Sequence, residues 1–161
     1  MNISELLIPE LKRETQLTET FLKRVPSDKL EYSPHEKSMP MGELCAHLIG
    51  LYAFLAATME SDLLDFASFQ PPQITTIDDM LSKLPDLSAA AEQALQKDDE
   101  VYQQTWTLKQ GDNVLGQMPR YTAIRSNLNQ FPHHRAQLGV YLRLLDIDVP
   151  ATYGPSADEA Q

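Results

Sequence analysis

The segment 41–59 constrains the fold most, because its apolar residues recur at helical spacing along two separate stripes. The first stripe contains Met41, Leu44, Leu48, Tyr52 and Leu55, and the second contains His47, Leu51, Phe54 and Thr58. A helix with two such stripes buries two faces, which is typical of a central helix in a bundle. The sequence therefore predicts a helical bundle built around this segment, with His47 pointing inward.

Three other segments show helical periodicity, at residues 3 to about 25, 76 to about 97 and 121 to about 145. Long connections between the four helices favour crossovers over a simple up-and-down arrangement. Between 105 and 118, alternation around Gly111-Asp112-Asn113 predicts a short hairpin or an extended segment. The expected fold class is all-α, a four-helix bundle in one domain (1–161). Its tail, from about 146 to 161, is expected to be ordered through Tyr153 and loose after Pro155.

Composition limits the partners and the compartment. A chain of 161 residues suits one compact domain, and its formal net charge of −10 repels nucleic-acid phosphates and anionic membrane surfaces. No run approaches 18 consecutive apolar residues, and the first residues lack the basic and apolar regions of a signal peptide. The single cysteine, Cys45, is expected to be a free thiol in the core. These features favour a cytoplasmic protein without nucleic-acid or membrane partners.

The last predicted helix carries most of the potential ligands. Gln130 and His134 are four residues apart and so share a face, while His133 pairs in the same way with Gln137 and Tyr141. With His47 from the facing helix, two imidazoles and an amide oxygen would form a divalent metal site that keeps positions open for water. Such ligands suit Zn, Ni, Cu or Fe. A water or thiol bound there would be acidified and would act as a nucleophile.

Structural roles are open for the same residues. An isolated inward histidine such as His47 is more often a hydrogen-bonded core residue than a ligand, and His133 can bond a neighbouring helix or loop. Arg135 can bind a substrate anion or form an ion pair with one of the many carboxylates. Trp106 is expected to fill the core. The sequence has no glycine-rich phosphate loop, paired-cysteine zinc motif, G-x-S-x-G or H-E-x-x-H.

Two stretches resemble the DinB-like family of metal-dependent four-helix proteins, which is named for damage inducibility. They are PHEKSMPMGELCAHL (34–48) and HHRAQLGVYLRLLDIDVPATYGPSADE (133–159). The superfamily includes thiol-dependent transferases that use bacillithiol, mycothiol or glutathione, so the resemblance implies a low-molecular-weight thiol as a possible cofactor. It also implies a homodimer.

The resemblance further implies a divalent metal, nickel or zinc first, held by three histidines. One histidine lies on the second helix and two form an H-x-x-x-H pair on the fourth. By position, His47 and His134 match two of these ligands. The third falls on Gln130, whose amide oxygen binds such metals more weakly than imidazole.

Two functions follow as expectations. The first is a metal-dependent enzyme, a thiol-dependent transferase or a hydrolase, acting on a small electrophilic substrate. In it, His47, His134 and Gln130 would bind the ion, and His133 or Tyr141 would serve as a polar helper. The second is a non-catalytic dimeric protein for stress response or small-molecule binding, with a degenerate metal site. The residue Gln130 favours the second.

Overall fold

Four long helices, α1 (Ile3–Leu22), α2 (Met41–Glu60), α3 (Ile77–Ala94) and α5 (Arg120–Leu144), form the body of the protein. A short helix, α4 (Asp99–Gln103), precedes a hairpin, and a 3-10 turn (Ser27–Lys29) follows α1. These elements come from a computed structural model, which describes residues 2–159. The four predicted helices are confirmed within a few residues at each end.

Local side-chain bonds fix where two of the helices begin. At α1, the Asn2 side chain accepts from the backbone amide of Glu5 at 3.0 Å, and the Glu5 carboxylate accepts from the Asn2 amide at 3.1 Å. At α3, Thr76 accepts from the backbone amide of Asp79 at 3.2 Å. Each bond satisfies an amide that has no partner within its helix.

Helix α2 packs against both α3 and α5, and α1 packs against the same two helices. This position buries the first apolar stripe and part of the second, and eleven residues of α2 are buried. In the described part of the chain, α2 is also the one helix long and apolar enough to cross a membrane. Its contacts with α3 and α5 explain that apolar composition without a membrane.

The fold is not purely helical, which corrects the all-α prediction. Strands β1 (Leu63–Asp65), β2 (Thr105–Gln110) and β3 (Asn113–Pro119) form a small sheet in the order β1-β2-β3. The predicted hairpin is confirmed as the antiparallel pair β2–β3, and β1 joins it in parallel. Gly111, at φ 59°, allows the tight turn between β2 and β3. The strand β1 is too short to show alternation in the sequence.

A second, smaller core lies between the sheet and the bundle. Leu64, Trp106 and Ala123 are buried there, with Phe54 and Phe69 packed against them. Trp106 is 1% exposed, so its expected burial is confirmed. The boundary between the two cores is where the cavity described below opens.

The tail departs from the expectation that it is loose after Pro155. The Asp158 carboxylate accepts from the backbone amide of Val149 and from the Arg143 guanidinium, both at 2.9 Å. The Glu159 carboxylate accepts from the amide of Ala151 at 2.9 Å. The bond to Arg143 ties the tail to α5, and the other two hold its residues up to Glu159 against 149–151. Residues 160 and 161 of the predicted tail lie outside the described part of the chain.

Candidate functional site

The imidazoles of His47 on α2 and His134 on α5 meet edge to face. Their ring centroids are 4.4 Å apart and the ring planes lie at 88°. The two helices pack side by side, so residues on their facing sides come together although they are far apart in sequence. The structure thus brings together the two histidines that the sequence singled out.

The prediction that His47 points into the core is wrong. His47 and Gln130 are exposed, and His134 is half-buried. At this point α2 faces a cavity that opens to solvent, so the second stripe is only partly covered. His47 therefore lines a cavity that a small molecule can enter, and the His134 ring lies against His47 outside the cavity lining.

The neighbours of His134 favour one protonation form. Its Nδ1 lies 2.8 Å from the Gln137 side-chain oxygen. Because a carboxamide oxygen can only accept, Nδ1 carries the proton and Nε2 keeps a free lone pair. Metal-binding histidines use this arrangement, in which a second group fixes the ring.

The surroundings also favour the neutral form of both rings. Although His47 is exposed as a residue, the packed atoms around its ring desolvate it in part and lower its pKa, and the nearby His134 lowers it further. Burial lowers the pKa of His134, while the bond to Gln137 acts in the opposite direction. Neutral imidazole is the form that binds metals.

Of the other predicted site residues, only Gln130 lines the cavity; His133 and Tyr141 do not. Gln130 lines the cavity together with His47. The ring of His133 is exposed, and its centroid is 4.8 Å from that of His134. The hydroxyl of Tyr141 donates to the Met39 carbonyl at 2.9 Å, so its proton is already engaged.

The pair offers two imidazoles to a divalent ion, which such a small donor set would hold weakly. Within residues 2–159, no three His, Cys, Asp or Glu side chains lie close enough together to hold a metal. Two imidazoles with the amide of Gln130 would be the donor set. Imidazole suits Zn, Ni, Cu and Fe, but two strong ligands are one fewer than catalytic zinc sites use.

A cavity of about 710 Å³ adjoins the pair. Helix α2 contributes a stripe from Glu43 to Phe54, and α5 contributes Ala123, Ser126, Asn127 and Gln130. Aromatic side chains from the loop after β1 and from β2 form the opposite wall; they are Phe66, Phe69 and Trp106. The volume lies in the usual range for small-molecule sites.

Two residues that line the cavity each contain a buried polar atom without a protein partner. They are Nε1 of Trp106, a donor, and Oδ1 of Asn127, an acceptor. The Asn127 amide nitrogen does bond, donating to the Leu51 carbonyl at 3.3 Å. Unpaired buried polar atoms are uncommon in folded proteins and call for an explanation.

Sequence reasoning missed three of the wall residues. Asn127 lies three residues before Gln130 and seven before His134, so helical spacing could have placed it on the same face. Phe66 and Phe69 lie in a connection without periodicity, and no pattern assigns them to the site.

The fold as a whole was compared with known structures. Crystal structures of two DinB-like proteins are similar to it. The one from Bacillus subtilis has a TM-score of 0.70 at 16% identity, over 96% of this chain and 99% of that chain. The one from Bacillus cereus has a TM-score of 0.67 at 17% identity, over 88% of this chain and 92% of that chain. No curated protein matches the sequence. The sequence model of the DinB family matches residues 1–161, and the chain therefore belongs to the DinB family.

Proposed function

We propose that this protein catalyses a metal-assisted transfer or hydrolysis on a small electrophile that enters the cavity beside His47. The main support is the approach of the His47 and His134 rings to 4.4 Å, with His47 lining the cavity. Imidazole is a common ligand of catalytic metal sites, which keep one position open for water or substrate.

In this proposal, His47 and His134 hold the ion and Gln130 adds a weak third ligand. A divalent ion there would supply Lewis-acid chemistry, lowering the pKa of a water or thiol so that it attacks the electrophile. The cavity, whose wall is mostly apolar, would place the electrophile beside His47.

Of the two helper residues, His133 is the better placed. Its ring is exposed and lies next to that of His134. The Tyr141 hydroxyl already donates to the Met39 carbonyl, and neither His133 nor Tyr141 lines the cavity. We therefore assign the proton-carrier role to His133.

Metal titration tests this proposal. Protein purified without a nickel column should contain or take up one equivalent of Zn²⁺ or Ni²⁺, measured by elemental analysis and calorimetry. His47→Ala and His134→Ala should abolish uptake. The control His35→Ala changes a histidine in the exposed loop before α2 and should leave uptake unchanged. If the wild-type protein carries no metal and gains none, the enzyme proposal fails.

A second function, small-molecule binding without catalysis, is favoured by Gln130. An amide in place of a third imidazole weakens the donor set. If the site is degenerate, Gln130→His should create metal affinity that the wild-type protein lacks. Equal affinity in the two proteins would count against the degenerate site.

A further inference from the structure

We propose that the cavity beside His47 binds an uncharged molecule with a medium-length apolar chain, whose polar end lies at His47 and whose tail lies against Phe66. This inference deepens the proposed function, because calling the molecule a substrate rests on that function. Binding itself depends on the length, lining and charge of the cavity, and it can be measured without a metal.

The cavity is a groove that follows α2 and α5. The α2 residues that line it repeat as one face of a helix does; they are Glu43, Ala46, His47, Gly50, Leu51 and Phe54. The α5 residues repeat in the same way; they are Ala123, Ser126, Asn127 and Gln130. The two helices run antiparallel here, since His47 meets His134 while Asn127 donates to the Leu51 carbonyl. Stripes of this kind on two adjacent helices indicate an elongated cavity.

The rise of α2 sets the length of the chain. His47 and Phe54 are seven residues apart, a distance of about 10 Å along a helix axis. An extended chain of carbon–carbon bonds advances about 1.25 Å per atom. A chain of about eight carbon atoms therefore reaches from His47 to the level of Phe54.

The end of the groove around Phe54 suits an apolar tail. The rings of Phe66, Phe69 and Trp106 surround that of Phe54, with centroids 5.8, 5.9 and 6.2 Å away. All four residues line the cavity. Phe66 is 43% exposed, and Phe54 and Phe69 are half-buried, so these three side chains have surface that the protein does not cover. Methylene groups that leave water for such a surface gain affinity.

The charge of the lining argues against an anionic head group. Glu43 and His47 lie at the opposite end of the α2 stripe from Phe54, and so define the polar end. Among the described residues that line the cavity there is no Lys or Arg. The formal net charge of −10 adds a field that repels anions. An uncharged head group enters without leaving a charge unpaired.

A series of alcohols tests the length: 1-butanol, 1-hexanol, 1-octanol and 1-decanol. Their binding would be measured by calorimetry and ligand-observed NMR at pH 8 in EDTA, with the fluorescence of the single tryptophan, Trp106, as a further readout. Affinity should rise about three- to fourfold per carbon up to 1-octanol, and 1-decanol should then bind within about twofold of 1-octanol. No binding, a rise that stops before 1-octanol, or one that continues unchanged to 1-decanol would overturn the inference.

Octanoate tests the charge. It matches 1-octanol in chain length and should bind at least about tenfold more weakly, because its carboxylate would lose water without gaining a cationic partner. Equal or tighter binding of octanoate would overturn the inference.

A variant at the aromatic end tests the position of the tail. Phe66→Ala should weaken 1-octanol by at least about threefold and 1-butanol by less than about twofold, since four carbons do not reach from His47 to this end. Leu115→Ala, which changes a 52% exposed residue of β3 outside the cavity, should alter neither. Equal losses for the two alcohols, or none, would contradict the proposed orientation. Circular dichroism checks folding, and if Phe66→Ala unfolds, the wild-type alcohol series and octanoate still decide.

One further variant keeps the two proposals apart. His134 does not line the cavity, so His134→Ala should lose metal uptake and keep 1-octanol binding. If the wild-type protein shows the expected alcohol series but takes up no metal, the proposed catalysis fails and this inference stands. If it takes up metal but binds none of the alcohols, the reverse holds.

Discussion

The guanidinium of Arg135 lies 2.6 Å from the carboxylate of Glu14, and their side chains are only 1% and 6% exposed. Arg135 directly follows His134, about 100° further around α5, and it faces α1. The ion pair therefore fixes the rotation of α5 just beside the candidate metal site. The same helix turn carries a buried ion pair on one side and His134, a candidate metal ligand, on the other.

Breaking this pair should destabilise the protein strongly. Arg135→Met leaves the Glu14 carboxylate buried without its partner, which costs about 3–5 kcal/mol of unfolding free energy. Urea denaturation followed by circular dichroism measures the loss. Lys23→Met is the control, since Lys23 and Glu19 pair at 2.7 Å with side chains 60% and 46% exposed. It should change stability by about 0.5 kcal/mol or less. A cost below about 1 kcal/mol for Arg135→Met would contradict the assignment.

Tyr153 links the tail to the same pair. Its hydroxyl donates to Glu14 at 2.6 Å and accepts from Arg135 at 2.9 Å. Tyr153→Phe should reduce unfolding free energy by about 1 kcal/mol, because its ring is partly solvated, and should speed proteolysis of the tail. Tyr121→Phe, which changes an exposed tyrosine at the start of α5, should do neither. Equal effects of the two substitutions would show that the Tyr153 hydroxyl is not the cause.

The helices and the hairpin turn could be predicted from the sequence, because they depend on the spacing of nearby residues. The helical repeat placed His47 and His134 on facing helices, and Gly111 marked the turn of the hairpin. It also indicated that Arg135 could pair with a carboxylate. It did not indicate Glu14, because the chain has 23 acidic residues and the partner lies 121 positions away.

What the sequence could not predict depends on long-range packing. The strand β1 forms because the β2 backbone offers it hydrogen-bond partners, and its three residues show no pattern of their own. The shape of the cavity depends on the positions of Phe66 and Phe69, which line it and lie in a connection without periodicity. For the same reason, the exposure of His47 could not be inferred from its position on an apolar stripe.

Cys45 should be unreactive while the protein is folded. Burial raises the pKa of its thiol to about 12, so almost no thiolate exists at pH 8. Labelling by a thiol reagent should be at least about a hundredfold slower in native protein than in urea-unfolded protein. Labelling at the unfolded rate would contradict the buried position.

The same shift in thiol pKa predicts how stability depends on pH. Since the pKa is raised in the folded state, the contribution of Cys45 is complete below the pKa of the unfolded thiol and is lost as pH rises toward 12. Relative to Cys45→Ala, which has no thiol to ionise, the wild-type protein should lose about 1–2 kcal/mol between pH 8 and pH 10. Urea denaturation at each pH measures the difference. Parallel pH profiles would show that the thiol is not protected.

The bond between His134 and Gln137 makes a prediction about the metal site that needs no activity assay. At pH 8, where burial keeps the ring neutral, nitrogen-15 spectra should show the proton of His134 on Nδ1. Gln137→Ala should allow the other tautomer and weaken Zn²⁺ binding roughly tenfold, as loss of an orienting group does in metal sites. Gln96→Ala, an exposed change after α3, should leave both unchanged. If His134 already carries its proton on Nε2 in the wild-type protein, the lone pair is not available to an ion, and the candidate metal site loses one of its two imidazoles.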